Sequence, residues 1–316
     1  MKAIIYDKSH KDLLKLQEVE KTAPKENEVL IKIHSVSVNA ADVRSMKMGI
    51  IPKNKIFGSD IAGVVEAVGI NVKKFFIGDE VVGDLSAHGF GGFAEYVTVV
   101  ESALVLKPKS LSFETASAIP MSSVTALQAL RNKGNIQPGQ KVLICGAGGG
   151  VGTFAVQLAK HFQAEVTAVC GKSNVAIMKD LNVDHIINYN EKNFTQSNKQ
   201  YDLILAVNGN YSLSDYKSAL TSKGTVVIVG GSLSQLIKSI FFGKFVFPGN
   251  KKLRVLSAKP NHADLQFILN LVTAGRIRPI IDRSYSLEQT GEAVKYVMEG
   301  HAKGKVVINV AESTKL

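Results

Sequence analysis

The sequence predicts an α/β protein with two domains, one rich in β-strands and one built on a parallel sheet. Residues 1 to about 120 contain short β-rich runs that are separated by turn residues, with no long helical period. From about Pro120 onward, short apolar strands alternate with amphipathic helices, which is typical of a parallel sheet covered on both faces. A glycine-rich turn joins the first of these strands to its helix, as in doubly wound Rossmann domains.

The first half of the chain supplies the strands of the β-rich domain. These runs are KAIIY, EVLIKIHSVSV, IAGVVEAVG, DEVVG, AEYVTV and ALVLK. After about residue 255 the chain adds two helical segments, ADLQFILNLVTAG and QTGEAVKYVMEG, and a last strand, GKVVINV. We expect this tail to complete the first domain, which gives residues 1–122 plus 256–316 for one domain and 123–255 for the other.

Five glycines stand among the seven residues Gly146 to Gly152, between the strand KVLICGA and the helix VGTFAVQLAKHF. The fingerprint reads Ala147-x-Gly149-x-x-Gly152, with alanine in place of the usual first glycine. Such a turn lets backbone N–H groups and the helix dipole face a pyrophosphate. We therefore assign Ala147, Gly148, Gly149, Gly150, Val151 and Gly152 to cofactor binding. The alternative is a tight strand–helix turn that holds no ligand.

The end of the second strand, VTAVCGKSN, indicates which dinucleotide is bound. A site that prefers NAD usually places Asp or Glu here to hold the ribose 2′-hydroxyl. This chain has Gly171, Lys172, Ser173 and Asn174 instead, so no carboxylate repels a 2′-phosphate. Lys172 can pair with that phosphate, and Ser173 can donate a hydrogen bond to it. We predict NADPH as the cofactor; a solvated turn is the alternative.

The composition of the chain limits the kinds of partner that the protein can bind and the compartments in which it is expected. The formal charge is +11 at pH 7, which favours anionic partners, but no basic module interleaved with aromatic residues appears, so we expect no nucleic acid. Cys145 and Cys170, the only two cysteines, are expected to be buried free thiols in a reducing, cytoplasmic setting. The apolar segment 236–247 contains two lysines and is too short to span a bilayer. Its phenylalanines Phe241, Phe242, Phe245 and Phe247 are expected in core or interface packing; an apolar pocket and a weak peripheral membrane contact are the alternatives.

Several longer segments together carry a resemblance to a known family. They are VSVNAADVR, GSDIAGVVEAVG, GDEVVG, GGFAEYVTV, AGGGVGTFAVQLAK, DHIINY and GHAKGKVVINV. With these segments the chain resembles the medium-chain dehydrogenase/reductases, and within them the zinc-independent quinone oxidoreductases. Two of its segments, GHAKGKVVINV and VTAVCGKSN, resemble those of NADPH-dependent alkenal/enone reductases of plant chloroplast type. The resemblance implies a GroES-like domain made from both chain ends, a Rossmann domain inserted into it, and an active site between the two.

The resemblance also implies that no catalytic zinc is bound. The zinc alcohol dehydrogenases of this family place a cysteine ligand where Asn39 stands and a Gly-His-Glu motif where residues 58–60 read Gly-Ser-Asp. Both differences remove ligands that a catalytic Zn²⁺ needs. The resemblance therefore favours an acceptor that needs no Lewis acid, namely a quinone or an enone.

Individual site residues follow from the same resemblance. Asn39 is placed beside the nicotinamide and substrate, Thr125 and Lys305 near the cofactor, and Tyr189 near the 2′-phosphate; Gly230 ends the strand TVVIVG at the cofactor site. Each has an alternative: loop closure for Asn39, a helix start for Thr125, a strand-end aromatic for Tyr189 and a surface charge for Lys305.

The predicted activity is metal-free hydride transfer from NADPH to a quinone or to the activated C=C bond of an enone or alkenal. Asp42 and Asp60 are interpreted as structural, because Asp readily accepts loop N–H groups, and His88 as a solvated loop residue. No general acid is identified, and Asn39 is a candidate to steady the oxyanion. Two alternatives are an enoyl-thioester reductase that acts with a carrier protein, and a catalytically idle, crystallin-like NADPH-binding protein. A homodimer is expected from the family.

Overall fold

The computed structural model describes residues 1–9, 13–207, 211–230, 246–247 and 249–310 of the chain. These residues form two compact units. Unit 1 comprises residues 1–124, 260–275 and 279–316, and unit 2 comprises residues 125–259 and 276–278. The boundaries expected from the sequence, after residues 122 and 255, lie a few residues from these.

Unit 2 contains a six-stranded sheet in which every pairing is parallel. Its strands are β8 (Lys141–Cys145), β9 (Glu165–Cys170), β10 (His185–Asn188), β11 (Tyr201–Val207), β12 (Leu220–Val229) and β13 (Lys252–Val255). Its helices are α4 (Gly150–His161), α5 (Val175–Asp180) and α6 (Leu213–Ser218). The strand order β10-β9-β8-β11-β12-β13 is that of a Rossmann domain, with the first strand at the centre. The predicted fold class is confirmed.

The central strands of unit 2 are apolar along their length because both of their faces are covered. In β8, four consecutive residues from Val142 to Cys145 are buried, and in β11 five consecutive residues from Leu203 to Val207 are buried. Continuous apolar runs of this kind are typical of parallel sheets. The carboxyl ends of such strands lie at one edge of the sheet, where ligands of Rossmann domains bind.

Unit 1 contains a seven-stranded sheet and a separate two-stranded sheet of β1 (Lys2–Tyr6) and β2 (Leu14–Glu18). The larger sheet consists of β3 (Glu28–Val38), β4 (Asp60–Val68), β5 (Glu80–Asp84), β6 (Tyr96–Val100), β7 (Leu104–Leu106), β14 (Ile281–Ser286) and β15 (Lys305–Asn309). The helices assigned to this unit are α1 (Ala40–Met48), α2 (Phe113–Ser117), α7 (His262–Thr273) and α8 (Thr290–Met298). Because β15 pairs antiparallel with β3, the tail of the chain returns to the sheet built by its beginning.

The helix α3 (Pro120–Leu127) runs into a π-helix, Gln128–Lys133, and contains the boundary between the units after Val124. The expected helical segment SVTALQALRNKG is therefore one continuous helical stretch with a wider final turn. No helix in the described ranges is both long enough and apolar enough to cross a membrane.

Candidate functional site

In the glycine turn of unit 2, residues 146–152, backbone segments approach one another closely. Gly146 has φ +83°, and a Cβ placed there would collide with the carbonyl oxygen of Val207. A Cβ at Gly152 would collide with the carbonyl oxygen of Gly146. These two glycines are required by the fold itself, because no other residue fits.

Gly149 differs from its neighbours, because nothing inside the protein requires glycine there. Its φ is −87°, and the nearest atom to a Cβ would be the Gly146 carbonyl oxygen at 3.9 Å. Gly149 precedes α4 as its N-cap, and no side chain caps this helix. The space beside Gly149 and the uncapped first turn of a 12-residue helix suit the close approach of a phosphate group.

Asn174 lies in the turn after the second strand of the parallel sheet, and the sequence indicated no role for its side chain. A Cβ at Gly148 would collide with the Asn174 side chain, which therefore lies directly on the glycine turn. The Oδ1 atom of Asn174 is buried and accepts no hydrogen bond from any described residue. A buried acceptor without a donor is costly, and a hydroxyl of a bound ribose would satisfy it. Only the close packing of residues 148 and 174 reveals this role.

Ala147 contributes to the turn by its shape. It is fully buried, and its backbone N–H donates to the carbonyl oxygen of Val169 in β9 at 3.1 Å. Its N–H group is thus engaged within the sheet. Val151 and Gly150 lie in the first turn of α4, and both are half-buried.

The turn after β9 presents two exposed polar side chains and no carboxylate. Lys172 and Ser173 are exposed, and Lys172 forms no ion pair within the described part of the chain. Tyr189 follows β10 directly and is 55% exposed. A Cβ at Gly171 would come within 2.7 Å of the Tyr189 hydroxyl oxygen, so the tyrosine lies against this glycine. The structure therefore brings Tyr189 against Gly171, the residue before Lys172.

Two further predicted cofactor residues lie elsewhere in unit 2. Thr125 is half-buried in α3, within the helix and not at its start. Gly230 directly follows β12, with φ +76°, at the carboxyl edge of the parallel sheet. The segment that follows, with Phe241, Phe242 and Phe245, lies outside the described residues, whereas Phe247 is buried in a hydrophobic cluster of unit 2.

Unit 1 contains a buried polar network centred on Lys305, which is 2% exposed. The Nζ atom of Lys305 donates to Asn39 Oδ1 at 2.6 Å, to Ser122 Oγ at 3.3 Å and to Asp60 Oδ2 at 3.4 Å. The interpretation of Lys305 as a surface charge is therefore wrong. A lysine can be buried in this way only because a carboxylate and two further oxygens surround its ammonium group.

The carboxamide of Asn39 is held at both ends by this network. Its oxygen accepts from Lys305, and its Nδ2 donates to Asp60 Oδ2 at 2.9 Å and to Ser59 Oγ at 3.1 Å. Among the described contacts, both amide hydrogens have an acceptor inside unit 1. In this arrangement Asn39 has no free hydrogen-bond donor for an oxyanion, although its side chain is fixed in a single orientation.

Asp60 joins the network to the start of α3. Its Oδ1 atom accepts the backbone N–H of Met121 at 3.1 Å, and its Oδ2 atom accepts the hydroxyl of Ser37 at 3.3 Å. Burial raises the pKa of Asp60, while the charge of Lys305 and these hydrogen bonds oppose the increase. This geometry fits the structural role that the sequence suggested for Asp60.

Two more carboxyl groups lie close to this pair. Asp42 Oδ2 accepts the backbone N–H of Asn39 at 2.7 Å at the start of α1, and its Oδ1 has no hydrogen-bond partner among the described residues. Asp84 stands opposite Asp60 in the pairing of β4 with β5. Burial, above all, raises the pKa of each of these two carboxyl groups to about 7. Both groups therefore ionise at a higher pH than an exposed aspartate does, while Lys305 balances Asp60.

No group of three or more His, Cys, Asp or Glu residues in the described ranges is arranged to hold a metal ion. His88 is an exposed loop residue. Cys145 and Cys170 are buried free thiols, and burial raises the pKa of Cys170 to about 11. Neither thiol has the lowered pKa of a reactive cysteine.

Comparisons with known proteins agree with this fold. A family model described as "Alcohol dehydrogenase GroES-like domain" matches residues 25–109, and one described as "Zinc-binding dehydrogenase" matches residues 181–308. The chain belongs to the quinone oxidoreductases of the medium-chain dehydrogenase/reductase superfamily, whose members are oxidoreductases that use a nicotinamide cofactor.

Among its relatives is a chloroplast envelope quinone oxidoreductase homolog from Arabidopsis thaliana, 33% identical over 303 residues and covering 90% of both chains. A 2-methylene-furan-3-one reductase from Solanum lycopersicum is 33% identical over 327 residues, covering 98% of this chain and 79% of the relative. The solved structure of a quinone oxidoreductase from Coxiella burnetii superposes with a TM-score of 0.88 at 29% identity, covering 98% of this chain and 99% of the other.

Proposed function

We propose that the protein transfers hydride from NADPH to a small electrophile, either a quinone or the activated C=C bond of an enone or alkenal, without a metal ion. The observation that carries this proposal is the pair of adjacent turns in unit 2. The glycine turn leaves space at Gly149, and the Asn174 side chain on it has an unsatisfied acceptor. The turn after β9 presents Lys172 without a carboxylate, and Tyr189, which follows β10, lies against Gly171 of that turn.

The residues of unit 2 fit a phosphorylated dinucleotide in three ways. The first turn of α4 would bind the pyrophosphate with its free N–H groups. Asn174 Oδ1 would accept a ribose hydroxyl, since it is a buried acceptor with no donor among the described residues. Lys172 would pair with the 2′-phosphate while Tyr189 shields one side of the turn. The bound cofactor supplies a hydride at C4 of its nicotinamide ring.

The Lys305 network supports a reaction that needs no metal. Asn39 and Asp60 occupy positions at which the zinc enzymes, by the resemblance, place a cysteine ligand and a glutamate. Here the ammonium group of Lys305 already contacts both side chains and is itself fully coordinated by oxygen atoms. The donor set therefore suits a buried ammonium ion and lacks the nitrogen and sulfur ligands that zinc prefers. A quinone or enone accepts hydride without a Lewis acid, because its conjugated carbonyl group delocalises the charge.

The test is steady-state turnover of quinones, enones and enoyl-thioesters with NADPH and with NADH, in buffer treated with a chelator. We expect turnover of quinones or enones with NADPH, undiminished by the chelator. Activity that appears only after zinc is added would refute the metal-free mechanism. A preference for thioesters would favour the alternative that the protein is an enoyl-thioester reductase. Binding of NADPH without turnover of any acceptor would favour the alternative of a catalytically idle NADPH-binding protein.

The cofactor preference is tested by Lys172→Glu. The substitution should weaken NADPH binding by about 2–3 kcal/mol, a magnitude typical of breaking a charged hydrogen-bonded pair, and leave NADH binding nearly unchanged. Lys179→Glu is the matched control, because Lys179 is an exposed lysine of α5 outside the turn. Equal losses for NADPH and NADH, measured by fluorescence titration, would contradict the assignment of Lys172. A homodimer and a cytoplasmic location stay predictions from the sequence.

A further inference from the structure

The most exposed large apolar side chains in the described part of the chain belong to one short segment. The β4–β5 loop, residues 69–79, contains Ile70, Phe76 and Ile77, which are 88%, 71% and 69% exposed. No other large apolar side chain in the described ranges is more than 55% exposed. Single exposed apolar residues are ordinary, but three in one loop indicate an interaction site.

This loop is held in shape by the rest of unit 1. The Phe75 side chain is buried in the hydrophobic core of unit 1 and so fixes the loop to the body of the unit. The backbone N–H of Asn71 donates to the Glu26 carbonyl oxygen at 2.8 Å, and the N–H of Phe76 donates to Asp79 Oδ2 at 2.8 Å. The exposed side chains are therefore presented by an ordered backbone, which lowers the entropy lost on binding.

Two lysines stand between the apolar residues of the loop. Lys73 and Lys74 are exposed, and their backbone N–H groups both donate to Glu101 Oε2, at 3.2 Å and 3.1 Å. Neither ammonium group forms an ion pair in the part of the chain that the structure describes. Lys25, whose carbonyl oxygen lies beside Gly69, has a side chain that is 83% exposed, and its Nζ atom lies 3.8 Å from Glu28 Oε1.

We propose that the β4–β5 loop docks the protein on an anionic lipid surface, with Ile70, Phe76 and Ile77 entering the interface and Lys73 and Lys74 contacting the headgroups. The apolar side chains of the loop suit the acyl-chain boundary of such a surface, and its lysines suit the anionic headgroups. The net charge of +11 adds a long-range attraction to it. The same charge disfavours a second copy of this chain as the partner, because its lysines would meet their counterparts. A side chain that is 88% exposed also lies outside any groove that could receive a peptide.

The sequence suggested segment 236–247 for a membrane contact, whereas the proposed contact surface is the β4–β5 loop. Most of that segment lies outside the described residues, and Phe247 is buried. The proposed docking is independent of the proposed hydride transfer, because the loop contains none of the predicted site residues.

The experiment is co-sedimentation of the full chain with vesicles of phosphatidylcholine alone and of phosphatidylcholine with phosphatidylglycerol, at low and high salt. We expect binding to the anionic vesicles that falls at high salt. The triple variant Ile70→Ser, Phe76→Ser, Ile77→Ser should bind at least about a hundredfold more weakly, since burial of each side chain contributes about tenfold. Lys73→Glu with Lys74→Glu should weaken binding by about fivefold or more for each lysine.

The matched control is Met48→Ser with Ile50→Ser, which removes two apolar side chains that are 52% and 55% exposed on a different segment. This control should bind vesicles like the unaltered protein. Unfolding midpoints show that each variant is folded. The proposal is overturned if the triple variant sediments like the unaltered protein, or if the unaltered protein stays in the supernatant with both vesicle types. A change of oligomeric state caused by Phe76→Ser would assign the loop to self-association and also overturn it.

Discussion

Replacement of Lys305 by methionine tests the buried network of unit 1 most directly. Methionine fills much of the volume of lysine but removes the ammonium group, which leaves the Asp60 carboxylate without its counter-ion and Asn39 Oδ1 without its donor. Lys305 and Asp60 have side-chain exposures of 2% and 0%, so water does not replace the lost partner. Removal of one member of a buried ion pair typically costs about 3–5 kcal/mol of unfolding free energy.

A double-mutant cycle separates the energy of the Lys305–Asp60 ion pair from the energy lost through a packing defect at residue 305. Asp60→Asn keeps an oxygen that can accept the Met121 N–H but leaves Lys305 as an unbalanced buried cation. In the double variant Lys305→Met, Asp60→Asn, no uncompensated member of the pair remains. We therefore expect the double variant to lose at least about 2 kcal/mol less than the sum of the two single losses.

Urea unfolding followed by far-ultraviolet circular dichroism measures these four free energies. Lys32→Met serves as the control, because Lys32 is an exposed lysine on β3 of the same sheet, and such a change usually stays within about 0.5 kcal/mol. A loss below about 1 kcal/mol for Lys305→Met, or additive losses in the cycle, would show that no strong buried pair exists.

The remaining predictions concern one carboxyl group and the glycine turn. Because the folded-state pKa of Asp84 is raised from 3.8 to about 7, its stabilising contribution is present at low pH and is lost as pH rises through that interval. Asp84→Asn should therefore gain stability relative to the unaltered protein between about pH 4 and pH 7, by up to about 4 kcal/mol; parallel curves of unfolding free energy against pH would contradict this. Gly149→Ala should leave the unfolding midpoint unchanged, because its Cβ would approach no protein atom closer than 3.9 Å. The same Cβ should weaken the binding of both NADPH and NADH, because it would fill the space proposed for the pyrophosphate. Gly152→Ala should destabilise the fold itself, because its Cβ would collide with the Gly146 carbonyl oxygen. Calorimetry with nucleotide titration checks both, and unweakened nucleotide binding by folded Gly149→Ala would refute the role given to that space.

The segments that sequence reasoning predicted well are those whose signal is local. The run of buried residues in β8 and the glycines after it are contiguous, so the strand, the turn and the following helix could be identified together. The absence of a carboxylate beside Lys172 is likewise visible in a few adjacent residues. The role of Asn174 was missed, because it depends on contact with Gly148, which lies 26 positions earlier in the sequence (174 minus 148).

The sequence by itself determined the alternation of elements, the family and the type of turn that could bind a phosphorylated dinucleotide, because hydrophobic period and glycine positions act over short stretches of chain. Only the tertiary structure decided that Lys305 lies beside Asn39, 266 positions away, and that Asp84 stands opposite Asp60. These contacts follow from the pairing of β15 with β3 and of β5 with β4. A strand's alternation shows which side chains are buried, but the register of its partner determines which buried charge meets which.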